Sequence, residues 1–258
     1  MSYLRKREFH RLQVLSFYRF INIKNKIKIK RQLEIFFLNF TIRGTVLIAD
    51  EGINASIAGS GGDLIIVLRK IKELLRIRKL NIKINQVNKL PFNKLKIKLK
   101  KEIVSLGVSN LDVKKLKGKL VHPKDWDNLI IYNELKLIDV RNIYEIEIGS
   151  FKNSINPMTE TFREFPKKLK HINIKKDENI GLYCTGGIRC EKASAYLKSK
   201  GFKNVYQLDG GILNYLNHRK ISKNWKGECF VFDDRVSVNK NLLKGRYYQC
   251  FGCRRPIS

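Results

Sequence analysis

Cys184 opens the run Cys184-Thr-Gly-Gly-Ile-Arg189-Cys190-Glu191, where residue types and spacing point to a reactive thiol. The apolar stretch Ile180 to Tyr183 leads into it as a strand, and Glu191 to Lys200 has helix-forming composition. A strand, a tight loop and a helix start aim backbone N–H groups at one point, and the helix dipole adds positive potential there. Thr185, Gly186, Gly187 and Ile188 supply the loop backbone, and Arg189 supplies a nearby cation. A thiol in that bowl ionises easily because its anion is the stabilised form, and the thiolate is the form that reacts. The role also requires the sulfur to be reachable from solvent. A free cysteine at a strand end is often only a small packing residue. Two glycines ahead of a helix weaken both elements and have no packing rationale, which favours the reactive reading. Cys190, one turn into the helix, reads as a packing residue, with a resolving thiol or a rival nucleophile as the alternative.

Other chemistry is sparse. His10, His122, His171 and His218 are the only histidines, no two of them are close in sequence, and a facial triad for metal-centred oxygen activation is not evident. No haem or flavin signature appears either, so no bound cofactor is expected. Cys250-x-x-Cys253 supplies half of a four-ligand zinc site. Cys229 and His218 are the residues that would have to complete it, and no metal is expected. Glu51 and Asn54 follow Asp50 in a strand-to-strand turn, where an acid before glycine is ordinary turn chemistry. A substrate-binding role remains the second reading of that pair.

The elements that must hold these residues divide the 258-residue chain. Up to residue 104 the pattern reads β-α-β-β-α-β with one further strand: strands at 14–20, 45–49, 53–58, 81–87 and 96–104, and helices at 26–40 and 63–76. That order predicts a ferredoxin-like (acylphosphatase-like) α+β domain. Residues 105–130 read as a connector broken by Gly107, Gly118 and Pro123, with a short helix near Trp126. From 131 to 222 short apolar strands at 137–140, 179–183 and 205–208 alternate with helices, which predicts a parallel α/β layer. Cys184 then falls at the carboxyl end of a strand, where such sheets carry their sites. Residues 223–258 read as a short cysteine-containing tail.

Composition narrows the class. No apolar run approaches the length of a membrane span and no signal peptide is evident, so a soluble cytoplasmic protein with no membrane partner is expected. The net charge of +30 would draw a polyanion, nucleic acid first, although an A/T-rich codon bias toward Lys, Ile and Asn would leave the same excess. Phe17, Tyr18 and Phe20 offer base-stacking rings, two of which read as core.

Asp139-Val-Arg141, Tyr144-Glu145, Gly149, Cys184-x-x-Gly187-x-Arg189, Gly201-Phe202 and Gly210-Gly211-Ile212 together resemble a rhodanese domain. Adding Asp50-Glu-Gly-Ile-Asn54, Lys98-Leu-Lys-Lys-Glu-Ile-Val104, Thr161-Phe-Arg-Glu-Phe-Pro166 and the full Cys184 to Lys192 run, the chain resembles the bacterial tRNA uridine hydroxylase family over roughly residues 10–235. That resemblance implies an oxidoreductase that hydroxylates carbon 5 of wobble uridine 34 in a tRNA anticodon loop. Its co-substrates would be O2 and an unidentified reductant. It implies that Cys184 matches the persulfide-forming loop cysteine, Arg189 the loop arginine, and Asp139 with Arg141 a supporting pair at the loop's base. A rhodanese loop alone suggests instead a persulfide-forming sulfurtransferase fed by thiosulfate or a protein donor, and an RNA-binding protein with an idle loop is the third reading. The family commonly carries a longer cysteine-rich extension than the run ending at Ser258. Attack of Cys184 on carbon 6 of uracil would make carbon 5 electron-rich. Oligomeric state is not legible.

Overall fold

A computed structural model describes residues 11–132, 134–218 and 224–258. His10 and the expected boundary at 222/223 lie outside them. The described chain divides into two compact units, one ending at Val104 and one beginning at Ser105.

The first unit is built on β1 (Leu12–Phe20), β2 (Arg43–Ala49), β3 (Gly52–Ser60), β4 (Ile82–Gln86) and β5 (Leu95–Leu99), with helices α1 (Lys26–Phe37) and α2 (Gly61–Leu75). The sheet order is β4-β1-β3-β2-β5, antiparallel except for the β2–β5 pair. This is the ferredoxin-like α+β sandwich that the periodicity predicts, extended by one parallel edge strand. Leu15, Phe17, Val46, Ile53 and Ile57 line the sheet face that meets Leu33 and Phe37 of α1 and Leu64, Val67 and Ile71 of α2. Alternate strand residues and every third or fourth helix residue are apolar, so each element buries one face. The Ser60 hydroxyl caps α2 through the Asp63 amide at 3.1 Å, which leaves Asp63 as the first-turn acid.

The second unit carries the parallel sheet β6-β10-β9-β7, from β6 (Lys119–Val121), β7 (Lys136–Asp139), β9 (Asn179–Tyr183) and β10 (Asn204–Leu208); β8 (Gly149–Phe151) stands outside it. The stretch expected to be a connector is therefore part of the fold: β6 forms the sheet's fourth strand, between α3 (Val113–Leu116) and α4 (Pro123–Tyr132). Gly118 is there for close approach, since a Cβ would stand 2.8 Å from the Val205 carbonyl oxygen. Trp126 of α4 is fully buried in an aromatic core. Phe151 sits at its centre, with the rings of Tyr183 and Tyr215 both 4.8 Å away and edge-on.

The remaining helices of this unit are α5 (Ile143–Ile146), α6 (Phe165–Lys168), α7 (Ile188–Ser199) and α8 (Gly211–His218). The segment expected to be a tail also departs from that reading. Trp225, Cys229, Phe230, Val231, Val236 and Val238 are all buried. They lie in and around β11 (Trp225–Gly227), which pairs with β8, and the pair β12 (Cys229–Phe230) with β13 (Ser237–Val238). β14 (Tyr248–Gln249) and β15 (Pro256–Ile257), around Cys250 and Cys253, pair as a terminal hairpin whose Arg255 reaches Glu160 at 2.6 Å. No helix among the described residues is long and apolar enough to cross a membrane.

Candidate active site

Two parallel neighbours end side by side and set the site's floor, β7 at Asp139 and β9 at Tyr183, which are register partners. The chain leaves β9 through Cys184 and turns into α7 at Gly187. Of the two loop glycines only Gly187 takes a left-handed backbone, φ 97°, and that residue lets strand become helix within four residues. The N-terminus of α8 closes on the loop: the amides of Ile212 and Leu213 donate to the carbonyls of Cys184 (2.9 Å) and Thr185 (3.1 Å). Gly211 permits this, because a Cβ there would lie 2.4 Å from the Cys184 carbonyl oxygen.

The expectation of a solvent-open sulfur, on which the enzymatic reading of Cys184 depends, is not met, and that reading now requires the atoms covering the sulfur to move. Cys184 is 0% exposed, enclosed by its own loop, α8 and Cys190, and only Gly186 and Ile188 of the loop are part-exposed. Burial alone would raise a thiol's pKa. Here burial is the largest influence and does oppose the anion. It is outweighed by a hydrogen bond from the Cys190 thiol, the Arg189 charge, and the amides of Cys190 and Gly187, so the Cys184 pKa falls to about 5. The Gly187 amide donates to Sγ at 3.1 Å. Cys190, also fully buried, has its thiol pushed well up by burial and by the adjacent Cys184 anion, so at neutral pH the pair holds one proton between two sulfurs.

Arg189 does not stand alone over the thiolate. Its guanidinium forms a fork with the Glu145 carboxylate, Nη1 to Oε2 at 2.6 Å and Nη2 to Oε1 at 2.7 Å, and Nη2 also reaches Thr185 Oγ1 at 3.4 Å. Burial works against the Glu145 anion, but Arg189 and then Arg141 more than reverse that, and its pKa is lowered. Arg141 sits below, with Nε and Nη2 on the Asp139 carboxylate (2.8 and 2.5 Å), Nη1 on the Glu145 carbonyl (3.2 Å) and Nη2 on the Gly149 carbonyl (2.6 Å). Two stacked carboxylate–guanidinium pairs thus anchor the loop from strand end to helix start. Replacing one partner of such a buried pair leaves an uncompensated charge, which makes the frame rigid.

Glu145 is the residue sequence reasoning left out of the site. It stands 44 positions from Arg189; Tyr144-Glu145 belongs to the rhodanese-like pattern without a role attached, and locally Asn142-x-x-Glu145 has the spacing of a helix cap, in which the Asn142 amide donates to Glu145 Oε2 at 3.1 Å. Phe232 was likewise unmarked. It is 63% exposed, its ring centroid lies 5.8 Å from the Arg189 guanidinium carbon, and Phe230 buttresses it edge-on at 5.1 Å.

The remaining candidates go elsewhere. Glu51 and Asn54, in the first unit, grip one backbone position: Ile103 N donates to Glu51 Oε1 at 2.6 Å, and Asn54 Nδ2 donates to the Ile103 carbonyl at 3.1 Å. That pins the chain after β5 and gives both side chains a structural occupation. Phe17 and Phe20 are core, while Tyr18 is part-exposed. Cys229 is buried and its thiol is pushed up to about 12, whereas Cys250 and Cys253 lie at the terminal hairpin. Among the described residues no group of three or more His, Cys, Asp or Glu is arranged to hold a metal. His122 and His218, far apart in sequence, do meet, with ring centroids 5.0 Å apart.

Comparison with known proteins aligns with this division. Residues 12–103 match the UPF0176 acylphosphatase like domain, and residues 122–218 match the rhodanese-like domain. The chain is 44% identical, over 95% of its length and 89% of the relative's, to the tRNA uridine(34) hydroxylase of Wolbachia pipientis wMel. Among solved structures, a rhodanese-related protein from Thermoplasma volcanium is 26% identical, covers 39% of this chain and 92% of its own, and has a TM-score of 0.34. A polysulfide-sulfur transferase from Wolinella succinogenes is 27% identical over 41% of this chain and 80% of its own, with a TM-score of 0.35.

Proposed function

We propose that this chain, which belongs to the tRNA uridine(34) hydroxylase family, hydroxylates carbon 5 of uridine 34 in tRNA with the Cys184 thiolate as its reactive group. The observation that carries the reading is the Cys184 sulfur held at a strand end by the Gly187 amide at 3.1 Å, beside Arg189 and Cys190, in a chain 44% identical to a tRNA uridine(34) hydroxylase; the lowered thiol pKa agrees with it.

Uracil carbon 6 is electrophilic because it is conjugated with the carbonyl at carbon 4. Addition of the Cys184 thiolate there places electron density on carbon 5, the position that must gain oxygen. O2 serves as co-substrate: one oxygen atom is retained on carbon 5 and the other leaves as water, with two electrons drawn from a reductant. The N–H groups of Gly187 and Cys190 and the Arg189 charge stabilise the sulfur before attack and again when it leaves as a thiolate. Glu145 holds Arg189 in register rather than reacting. Because Cys184 is enclosed, a base reaches it only after the covering atoms shift, so attack is tied to substrate docking.

Phe232 is the surface on which a splayed base can stack beside Arg189, since single-stranded loops are read by aromatic and guanidinium planes. The anticodon loop is single-stranded, and the +30 charge favours association with tRNA generally. A tRNA substrate supports a cytoplasmic site of action. The rhodanese-like match gives weaker support to the second reading, persulfide transfer by the same cysteine.

Expression of wild-type and Cys184→Ser protein in a host lacking its own hydroxylase tests the proposal by mass spectrometry of tRNA nucleosides. Wild type restores 5-hydroxyuridine and the variant does not. Modification by the variant, or high thiosulfate-to-cyanide turnover by a wild type that leaves tRNA unmodified, refutes it.

A further inference from the structure

The second sulfur of the site has no role in the steps above. Cys190 lies on the first turn of α7, six residues after Cys184, fully buried, with its thiol hydrogen-bonded to the Cys184 sulfur. Packing alone would be served by alanine. Two buried sulfurs in hydrogen-bond contact, one on the loop and one on the first turn of the helix it opens, are instead arranged as a dithiol. Hydroxylation by O2 also leaves two electrons to be found, the amount a dithiol releases on closing to a disulfide.

We infer that Cys190 is the reductant of the reaction, closing a disulfide with Cys184 once per turnover and being reset by an external thiol. This rests on Cys184 being the sulfur that meets uridine. The balance is as follows. The Cys184 thiolate forms a bond to carbon 6, and carbon 5 passes two electrons to O2, taking up one proton to become a hydroperoxide. The Cys190 sulfur attacks the outer oxygen; the O–O bond breaks, a hydroxyl remains on carbon 5, and Cys190 becomes a sulfenic acid. Loss of the carbon-5 proton expels the Cys184 thiolate and leaves 5-hydroxyuridine. That thiolate then attacks the Cys190 sulfur, releasing water and forming the disulfide. In sum, uridine, O2 and two thiols give 5-hydroxyuridine, water and one disulfide.

The pair's protonation fits these steps. Cys184 is the ionised partner and attacks first, while Cys190 keeps its proton until a peroxide oxygen is beside it.

The test uses fully reduced, desalted protein with unmodified tRNA in air and no added thiol. The expected result is at most one 5-hydroxyuridine per chain, with a Cys184–Cys190 disulfide found by peptide mapping after alkylation in denaturant. Dithiothreitol then restores multiple turnover. Repeated turnover without a thiol, or product formed while both cysteines stay alkylatable, overturns the assignment. Cys190→Ser keeps a hydroxyl donor for the Cys184 anion but cannot be oxidised, so Cys184 titrates as in wild type while turnover with dithiothreitol falls by at least about a hundredfold. Wild-type turnover by that variant also overturns it. If reduced wild type makes no 5-hydroxyuridine even with dithiothreitol, the hydroxylase reading itself fails, before any variant is compared.

Discussion

Cys184 and Cys229 are equally enclosed, both 0% exposed, yet their thiols move in opposite directions, to about 5 and about 12. Burial raises both, and both sense the Arg189 charge, although Cys229 also feels Arg141 and, opposing it, Glu145 and Asp139. The difference is directional donors. Cys184 receives a thiol, two amides and the Arg189 field at one atom, while the Cys229 sulfur faces the Phe230 carbonyl at 3.6 Å, which offers no proton. Two cysteines can share a depth and an amino-acid neighbourhood and still differ in acidity. What distinguishes them is whether a strand-end loop and a helix start converge N–H groups on the sulfur.

The comparison breaks first at activity. Cys184→Ser is expected to lower 5-hydroxyuridine formation in vitro by more than about 10³-fold, while Cys229→Ala stays within about twofold of wild type. Equal losses would mean that position, not ionisation, decides. Next in size, Glu145→Gln leaves the buried Arg189 charge unpaired, at a cost of about 3 kcal/mol or more in chemical denaturation. The same substitution at exposed Glu34, paired with Lys30 across one helical turn, costs well under about 1 kcal/mol.

The pH profile sharpens the contrast at the level of a single proton. A lowered thiol pKa means the anion is present above about 5 and is lost as pH falls through it, so kcat/KM in the free enzyme is flat near neutrality and drops below about 5. A profile still rising between pH 7 and 9 would place the reactive thiol in the ordinary range and contradict the assignment. The smallest effect is at the rim. Phe232→Ala removes a stacking ring that touches no sulfur, and is expected to raise KM about fivefold or more with kcat little changed.

Local pattern carried most of the first unit. The spacing of Leu33 and Phe37, and of Leu64, Val67 and Ile71, marks helices, and the alternation within β4 and β5 marks strands. The Cys184 loop was legible because its glycine pair has no packing excuse. What sequence did not show depends on contacts between distant positions. β6 is only three residues long and is recognisable as a strand only by its pairing with β10. The apolar residues from Trp225 to Val238 are scattered among polar ones and gain meaning only against β8 and Ile148. α8 was missed although Ile212, Tyr215 and Leu216 share a helical face. The enclosure of Cys184 and the Glu145–Arg189 fork are tertiary facts, because sequence gives a side chain's type but not the depth at which the fold sets it.

Thiolate absorbance followed across pH, taken as the difference between wild type and Cys184→Ser, reports directly on the sulfur that everything else depends on. The account predicts a single transition near about 5. A transition near about 8.5, where an unperturbed thiol ionises, would contradict it.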